Sequence, residues 1–231
     1  MHVSVDPADL SPVERHKMTI GTIVPRPIAW TTTVDSAGRV NLAPFSYFMA
    51  CHSYVPALAI SVGSRHGEPK DTRANIEATG ELVVNTVTAD LVERINVTAA
   101  AFPPEVDELA FAGLTPLPSK IVAPPRVAES PVNIECRVLE TLHLGDEPRV
   151  SSLFVAQVVM WHVREDLLLE GFKVDQAAID AIGRMGGSMY VHARDLFTMS
   201  IPDWRELLGP GAGGLLGPGA GGPLAGPEGR H

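Results

Sequence analysis

A basic loop, SVGSRHGEPKDTRANI, occupies residues 61–76 and contains side chains that could bind an anion. Arg65 and Lys70 carry positive charge, and Asp71 and Thr72 follow them where a helix is predicted to begin. An ammonium group, a guanidinium group, a hydroxyl and free amides at a helix start are donors that hold a phosphate monoester. A basic surface loop can equally be a solvated turn without a ligand. The loop by itself leaves both interpretations open.

Two further polar clusters lie in WTTTVD and NLAPFSYF, on either side of a predicted turn. Threonine is common in strands because its branched side chain suits them, so neither cluster is diagnostic alone. All three clusters stand at strand ends in an otherwise apolar N-terminal half, where they could converge at one mouth of a barrel. The polar residues of these two clusters are Thr31, Thr32, Thr33, Asn41 and Ser46.

The predicted elements that would position these clusters are mostly strands. PIAWTTTVD and RVNLAPFSYF form a hairpin through a turn at residues 35–38, and ALAISVG and ELVVNTV are further strands. Between the last two, DTRANIEATG predicts a helix that is capped by one of its first two residues and ends at Gly80. A capping box formed by Ser11 and Glu14 predicts an earlier helix in the N-terminal segment, residues 1–20.

The second half of the chain predicts two strands of different burial. PVNIECRVLE alternates, so its apolar residues should face inward while Asn133, Glu135 and Arg137 face solvent. LFVAQVVMWHV is apolar on both faces, which predicts a buried strand, and His162 within it is interpreted as a structural core histidine. Prolines crowd residues 103–131, which are therefore predicted to be surface connections.

Composition limits the classes of function. The 231 residues include 18 basic and 27 acidic ones, and the formal charge of −9 argues against a nucleic acid partner. Cys51 and Cys136 are the only cysteines, which excludes a zinc-ligand spacing and a disulfide framework and favours a reducing cytosol. We expect a soluble cytoplasmic protein, because no apolar run reaches the roughly 18 residues of a membrane helix and no signal-peptide pattern opens the chain. Glycine, proline and alanine dominate residues 205–231, which predicts a disordered tail rather than a linker to a partner.

The order of several motifs resembles the flavin reductase-like, FMN-binding split-barrel family. The motifs are GTIVPRPIAWTTTVDSAGRVNLAPFSYF, KDT followed by NI, ELVVN, GLTPLPS, PPRVAESPVNIEC and GRMGGSMY. They run from Gly21 to Pro202, and as an ordered set they are specific.

The resemblance implies a mainly β fold with peripheral helices (α+β), a six-stranded Greek-key split β-barrel over residues 21–204. It also implies a homodimer with FMN held between the subunits. In the family the TTT strand and the NLAPFS segment surround the flavin, the KDT loop binds its phosphate, and GRMGGSMY lies by its open face. The cofactor-binding residues implied in this way are Thr31, Thr32, Thr33, Asn41, Ala43, Ser46, Arg65, Lys70, Asp71, Thr72, Arg184 and Tyr190.

The activity that the resemblance implies is that of an FMN-dependent NAD(P)H:flavin oxidoreductase. NADH or NADPH would be the electron donor, and the reduced flavin would go to a partner oxygenase. The cofactor carries the hydride chemistry in such an enzyme, so no catalytic acid or base and no metal is expected. Two alternatives stay open: an FMN-carrying electron-transfer protein that never meets nicotinamide, and a split barrel that binds another phosphorylated cofactor.

Overall fold

The computed structural model describes residues 1–146 and 148–203, and the chain forms two compact units. The first unit is Met1–Asp195, and the second is Leu196–His231. The predicted tail, residues 205–231, lies outside the described residues. In the described parts of the chain, no helix combines the length and the apolar character needed to cross a membrane.

The first unit is mainly β, with short helices around the sheet, which confirms the predicted fold class. Its helices are α1 (Pro12–Thr22), α2 (Asp71–Thr79), α3 (Val92–Thr98), α4 (Glu108–Phe111) and α5 (Gln176–Ile179), with 3-10 turns at Pro7–Asp9, Ala89–Leu91, Glu165–Leu167 and Glu170–Phe172. Its strands are β1 (Ala29–Val34), β2 (Val40–Phe45), β3 (Phe48–His52), β4 (Ala57–Val62), β5 (Ser64–Arg65), β6 (Glu68–Pro69), β7 (Glu81–Asn85), β8 (Pro116–Leu117), β9 (Arg126–Val127), β10 (Val132–Leu144), β11 (Ser151–Val163), β12 (Leu168–Leu169), β13 (Lys173–Val174), β14 (Ile182–Arg184) and β15 (Tyr190–His192).

A single antiparallel sheet forms the centre of this unit. Within the described residues it has seven strands in the order β2-β1-β7-β10-β11-β4-β3, one more than the resemblance implies. The two edge strands, β2 and β3, are joined by only Ser46 and Tyr47. The opposite edges must therefore lie close together at this connection, and the backbone N–H of Ser61 in β4 donates to the carbonyl of Tyr47 at 2.9 Å, which extends the β3–β4 pairing up to it. The sheet is thus curled into a half-open barrel.

The two faces of the hairpin β1–β2 enter two different apolar cores. Ala29 and Phe45 pack with Ile60 and other buried side chains inside the curled sheet. Trp30 and Leu42 instead pack on the outer face with side chains from α3 and α4. This division follows from the two-residue period of a strand, which sends neighbouring side chains to opposite faces.

Helix α2 follows the prediction at its end and departs from it at its start. Gly80 closes the helix with a φ of 69°, a left-handed conformation that glycine adopts without strain. The cap residue, however, is Lys70 and not Asp71 or Thr72, and its side chain makes no capping hydrogen bond. The first amides of α2 are therefore left without a side-chain acceptor, and the charged groups of the basic loop stand beside them.

The polar face of β10 is largely buried, so the prediction that this face is solvated was wrong. Asn133 and Glu135 are buried, and only Arg137 is exposed. The proline-rich connection before β10 covers this face, and its backbone N–H groups need acceptors. Glu135 supplies them, because its carboxylate accepts from the N–H groups of Lys120 and Ile121 at 2.7 and 2.6 Å and from Val122 at 3.1 Å.

His162 is the side-chain partner of this buried carboxylate. Its Nε2 lies 2.6 Å from Oε1 of Glu135, which supports the interpretation of His162 as a structural core residue. Burial acts to raise the pKa of Glu135, but the hydrogen bonds from Lys120, His162 and the next two backbone N–H groups outweigh it. The pKa of Glu135 is therefore below its usual value of 4.5. Because this pKa is lower in the folded protein than in the unfolded chain, the ionised carboxylate stabilises the fold at any pH above 4.5. This contribution is lost as the pH falls below 4.5 and through the pKa of the folded protein.

Replacing Glu135 by glutamine should lower the free energy of unfolding at pH 7 by about 1 to 2 kcal/mol, because hydrogen bonds to a charged acceptor are lost. The difference from the wild type should be smaller at pH 3 than at pH 7, because the carboxyl of the unfolded chain takes up a proton near its usual pKa of 4.5 and that of the folded protein does so only at lower pH. Urea unfolding at both pH values measures it, with Glu140→Gln, an exposed position on the same strand, as the matched control. An equal decrease in the free energy of unfolding in both variants would show that the hydrogen bonds of Glu135 do not stabilise the fold more than an exposed carboxylate does.

Candidate functional site

Three adjoining cavities follow strand β2 and its continuation through Ser46 and Tyr47. The acidic cavity, about 370 Å³, is lined by Val40 and Asn41 at the start of the strand. The lysine cavity, about 330 Å³, is lined by Asn41, Pro44 and Phe45 and by the basic loop. The arginine cavity, about 500 Å³, is lined by Pro44 to Tyr47. Since neighbouring cavities share lining residues, they form one groove along roughly 20 Å of chain.

Lys70 dominates the lysine cavity. Its ammonium Nζ lies 5.4 Å from the centre of the Phe45 ring, a distance typical of a cation–π contact. Burial lowers the pKa of Lys70, and the positive charge of Arg65 lowers it further. Among the described residues, neither Lys70 nor Arg65 forms a salt bridge with an acidic side chain. Two neighbouring cations that form no salt bridge in the described part of the chain make this end of the cavity suited to an anion.

The start of α2 adds donors to the same place. Thr72, in the first turn, is buried beside the cavity, and its hydroxyl accepts a hydrogen bond from Nδ2 of Asn41 at 2.8 Å. The helix has nine residues and directly follows the basic loop, so the positive end of its dipole lies beside that loop. Its first N–H groups are available to a ligand, because no side chain caps them. A phosphate group placed here would meet both charge and amide donors.

Arg26 holds together the walls of the arginine cavity. Its guanidinium is buried and donates to the carbonyls of Ile20 at 2.7 Å, Ile23 at 2.8 Å and Met185 at 3.0 Å. Its Nε also donates to the hydroxyl of Ser46 at 3.3 Å. One side chain thus connects the end of α1, the turn after β2 and the segment after β14.

The hairpin of β14 and β15 forms the far wall of the arginine cavity. Arg184 and Tyr190 pair across it, and the guanidinium carbon of Arg184 lies 4.4 Å from the centre of the Tyr190 ring. The turn between them contains Gly187 with a φ of 61°, which other residues adopt only with strain. The paired glycines of the GRMGGSMY motif therefore form the turn that presents Arg184 and Tyr190 to the cavity.

The structure brings nine of the twelve sequence-predicted residues to this groove. The residues that line the lysine cavity are Asn41, Ala43, Arg65, Lys70, Asp71 and Thr72, and those that line the arginine cavity are Ser46, Arg184 and Tyr190.

The three threonines of β1 line none of these cavities and have no exposed surface. The hydroxyl of Thr31 donates to the carbonyl of Ala29, and that of Thr32 donates to the carbonyl of Pro125. Thr33 accepts from Nδ2 of Asn75 at 3.1 Å. The groove follows the edge strand β2, and β1 is the next strand of the sheet. The hydroxyls of β1 therefore form hydrogen bonds within the protein and do not reach the groove.

Two residues of the groove were missed by the sequence prediction. Arg26 lies between two prolines, where no neighbouring charge marks it, and its partners are up to 159 positions away. Glu108 lies in the proline-rich stretch, is only 7 % exposed and lines both the acidic and the lysine cavities. Its carboxylate accepts a hydrogen bond from the backbone N–H of Leu42 at 3.2 Å. Burial raises the pKa of Glu108, and the negative charges of Asp71 and Asp107 add to this effect.

Comparison with known proteins identifies the family of this chain and several similar proteins. A family described as "Flavin reductase like domain" matches residues 20–177. An uncharacterized protein of Halalkalibacterium halodurans is 37% identical over 204 residues, which cover 87% of this chain and 97% of that protein. Nitrilotriacetate monooxygenase component B from Bacillus cereus superposes with a TM-score of 0.82 at 32% identity, covering 86% of this chain and 99% of that one.

The fold has a further counterpart in a split-barrel protein of Shewanella frigidimarina. The two structures superpose with a TM-score of 0.75 at 22% identity, over 87% of this chain and all of the other. A likeness at this level of identity concerns the fold alone. It confirms that the curled sheet is a split barrel, as the sequence motifs predicted.

Proposed function

The chain belongs to the flavin reductase-like family, and we propose that it is an FMN-dependent oxidoreductase that uses NADH or NADPH to reduce flavin. The observation that carries this proposal is the groove along β2, where Lys70 and Arg65, which form no salt bridge within residues 1–146 and 148–203, lie beside the start of α2. An apolar wall lies at the other end of the same groove, and Ile20, Ile28 and Tyr190 contribute to it.

The chemistry of these side chains fits FMN. Its phosphate needs charge-assisted donors, which Lys70, Arg65 and the amides of α2 would provide. Its flat ring needs apolar contacts with few polar groups at the edge, and the arginine cavity offers Phe45, Tyr190 and the hydroxyl of Ser46. Bound FMN would supply the hydride-accepting chemistry that no side chain of the protein possesses.

The protein's own residues would bind, orient and shield. Ala43 to Ser46 would form the surface on which the ring lies, and Arg26 would hold Ser46 and the β14–β15 hairpin in place. Arg184, braced on the Tyr190 ring, would meet the second substrate at the open side of the arginine cavity. Thr33 of β1 would act indirectly, because its hydroxyl accepts from Asn41 of β2 and from Asn75 of α2 and so joins the strand to the helix. No acid or base is assigned, because proximity and orientation are sufficient for this chemistry.

A partner oxygenase would receive the reduced flavin. This part of the proposal is supported by the similarity to nitrilotriacetate monooxygenase component B, which is named as one component of a monooxygenase. The partner would accept reduced flavin released from the groove.

The experiment that tests the proposed activity is spectroscopic. The purified protein is titrated with FMN, and NADH or NADPH is then added without oxygen while the flavin absorption is followed. Bleaching of the flavin band by either nucleotide supports the oxidoreductase. A protein that binds FMN but is reduced by neither would instead be an electron carrier, and a protein without affinity for FMN would require another phosphorylated ligand.

We also propose that the protein is a homodimer with FMN near the seam. The edge strand β3 and the turn after it expose Met49, Tyr54 and Val55, an apolar surface that a second copy could cover. A two-fold dimer is the commonest arrangement that buries such a self-complementary surface.

Adding FMN should shift the monomer–dimer equilibrium toward the dimer, because a ligand that prefers the assembled state stabilises it. Sedimentation velocity over a dilution series, with and without FMN, measures the shift. A monomer that binds one FMN with an affinity independent of protein concentration would contradict the shared site. Titration with riboflavin serves as the control for the contribution of the phosphate.

A further inference from the structure

The acidic cavity continues the groove beyond the place assigned to the phosphate. It shares four lining residues with the lysine cavity, namely Asn41, Asp71, Pro104 and Glu108. Along β2, Lys70 stands over Phe45 while Glu108 is bound to the backbone of Leu42. Three strand residues correspond to roughly 10 Å, so Lys70 and Glu108 lie at different ends of the lysine cavity, and Asp71, which follows Lys70 in the chain, lies between them.

The charges that line the acidic cavity are not compensated equally. Arg39 is paired with Asp35 at 2.6 Å, so its positive charge is already matched. Asp71 and Glu108 form no salt bridge with a cationic side chain of the described residues, and Arg39 acts on Asp71 only by Coulombic attraction over a longer distance. The passage from the lysine cavity into the acidic cavity is therefore bordered by two negative charges.

FMN and FAD differ in the part of the molecule that would lie at this point of the groove. FMN ends in a phosphate monoester, whereas in FAD the chain continues through a second phosphate to adenosine. From the geometry of the groove we propose that Glu108 and Asp71 select FMN over FAD, because the second phosphate of FAD would have to pass between them. This inference rests on the proposed function, and it assigns cofactor discrimination to two named side chains.

The discrimination is electrostatic and not steric. The acidic cavity has a volume of about 370 Å³, so space for an extension of the ligand exists. A second phosphate near Glu108 would either be repelled or force the carboxyl to take up a proton. Burial strengthens the repulsion, since a half-closed cavity screens charge less than water does. Burial also raises the pKa of Glu108, so relief of the repulsion would come from protonation of this carboxyl.

The test compares the dissociation constants of FMN and FAD, measured by flavin fluorescence quenching on the flavin-free full-length protein. The wild type should bind FMN at least about tenfold more tightly than FAD, and Glu108→Gln should reduce this ratio on the order of fivefold, the effect of one charge at this distance. Glutamine keeps an acceptor for the N–H of Leu42. Asp71→Asn, at a half-exposed position, is a second variant that should act in the same direction.

The matched control is Glu93→Gln, which removes one negative charge from the exposed surface of α3 and lines none of the three cavities. Its FMN-to-FAD ratio should equal that of the wild type. A wild type that binds both flavins equally, or a ratio unchanged in both Glu108→Gln and Asp71→Asn, would overturn the selectivity proposal and leave the proposed function intact. Binding of neither flavin would overturn both.

Discussion

Replacing Lys70 by alanine should weaken FMN binding by about 1.5 to 3 kcal/mol, the usual strength of hydrogen bonds to charged groups. The affinity for riboflavin should change much less, because riboflavin lacks the phosphate. The reason lies in the position of the ammonium group, which is partly buried against the Phe45 ring and has Arg65 as its charged neighbour. Titration of both ligands against the wild type and the variant measures the difference.

The control for Lys70 is Lys120→Ala, which removes an exposed lysine that lines none of the three cavities. It should leave both affinities unchanged. Equal losses of FMN and riboflavin affinity in Lys70→Ala would place the phosphate elsewhere and assign Lys70 to the ring. The variant Arg65→Ala should show the same selectivity for FMN, with a smaller loss because Arg65 is more exposed.

Replacing Arg26 by alanine should lower the free energy of unfolding by about 3 kcal/mol or more, because several acceptors lose a charged donor at once. The three carbonyls that it binds belong to two segments that are distant in sequence, Ile20 and Ile23 in one and Met185 in the other. FMN affinity should fall as well, since Ser46 and the β14–β15 hairpin would lose their common anchor. Lysine at this position should restore part of the stability, as an ammonium group has three donors but not the planar fork of arginine.

Urea unfolding and FMN titration together test this role of Arg26. Arg194→Ala is the control, because Arg194 is exposed and pairs with Asp180 at the surface of the same region. It should leave both quantities nearly unchanged. If Arg26→Ala were as stable as the control while FMN binding was lost, Arg26 would contact the ligand directly and would not act by positioning other groups.

Local patterns in the sequence were sufficient for much of the fold. The capping box of Ser11 and Glu14 begins α1, and Gly80 ends α2, because both signals act over one helical turn. The ordered motifs were sufficient to recognise the family and its split barrel. Nine of the residues predicted to bind the cofactor lie along one groove. Some belong to β2 or directly follow it, and the others lie in the basic loop, at the start of α2 or in the β14–β15 hairpin.

Burial of polar groups was the main point that the sequence could not determine. The consecutive hydroxyls of Thr31, Thr32 and Thr33 are typical of a ligand-binding strand. These residues are nevertheless fully buried, because β1 lies inside the sheet and β2 lies at its edge. Glu135 alternates as a solvent-facing residue would, but the proline-rich segment before β10, whose donors are 14 and 15 positions away, covers it. Strand order and coverage depend on contacts between residues far apart in the chain, which local periodicity does not report.

The sequence by itself therefore determined the elements, the family and the basic loop, because each of these is expressed by neighbouring residues. Only the tertiary structure decided which charges remain unpaired. It placed Lys70 beside Arg65 with no salt bridge to an acidic side chain of the described residues, joined Arg26 to carbonyls of two segments, and set Glu108 against the edge of β2. The physical reason is that the energy of a charge depends on its burial and its partners, and both are fixed only when the chain has closed around it.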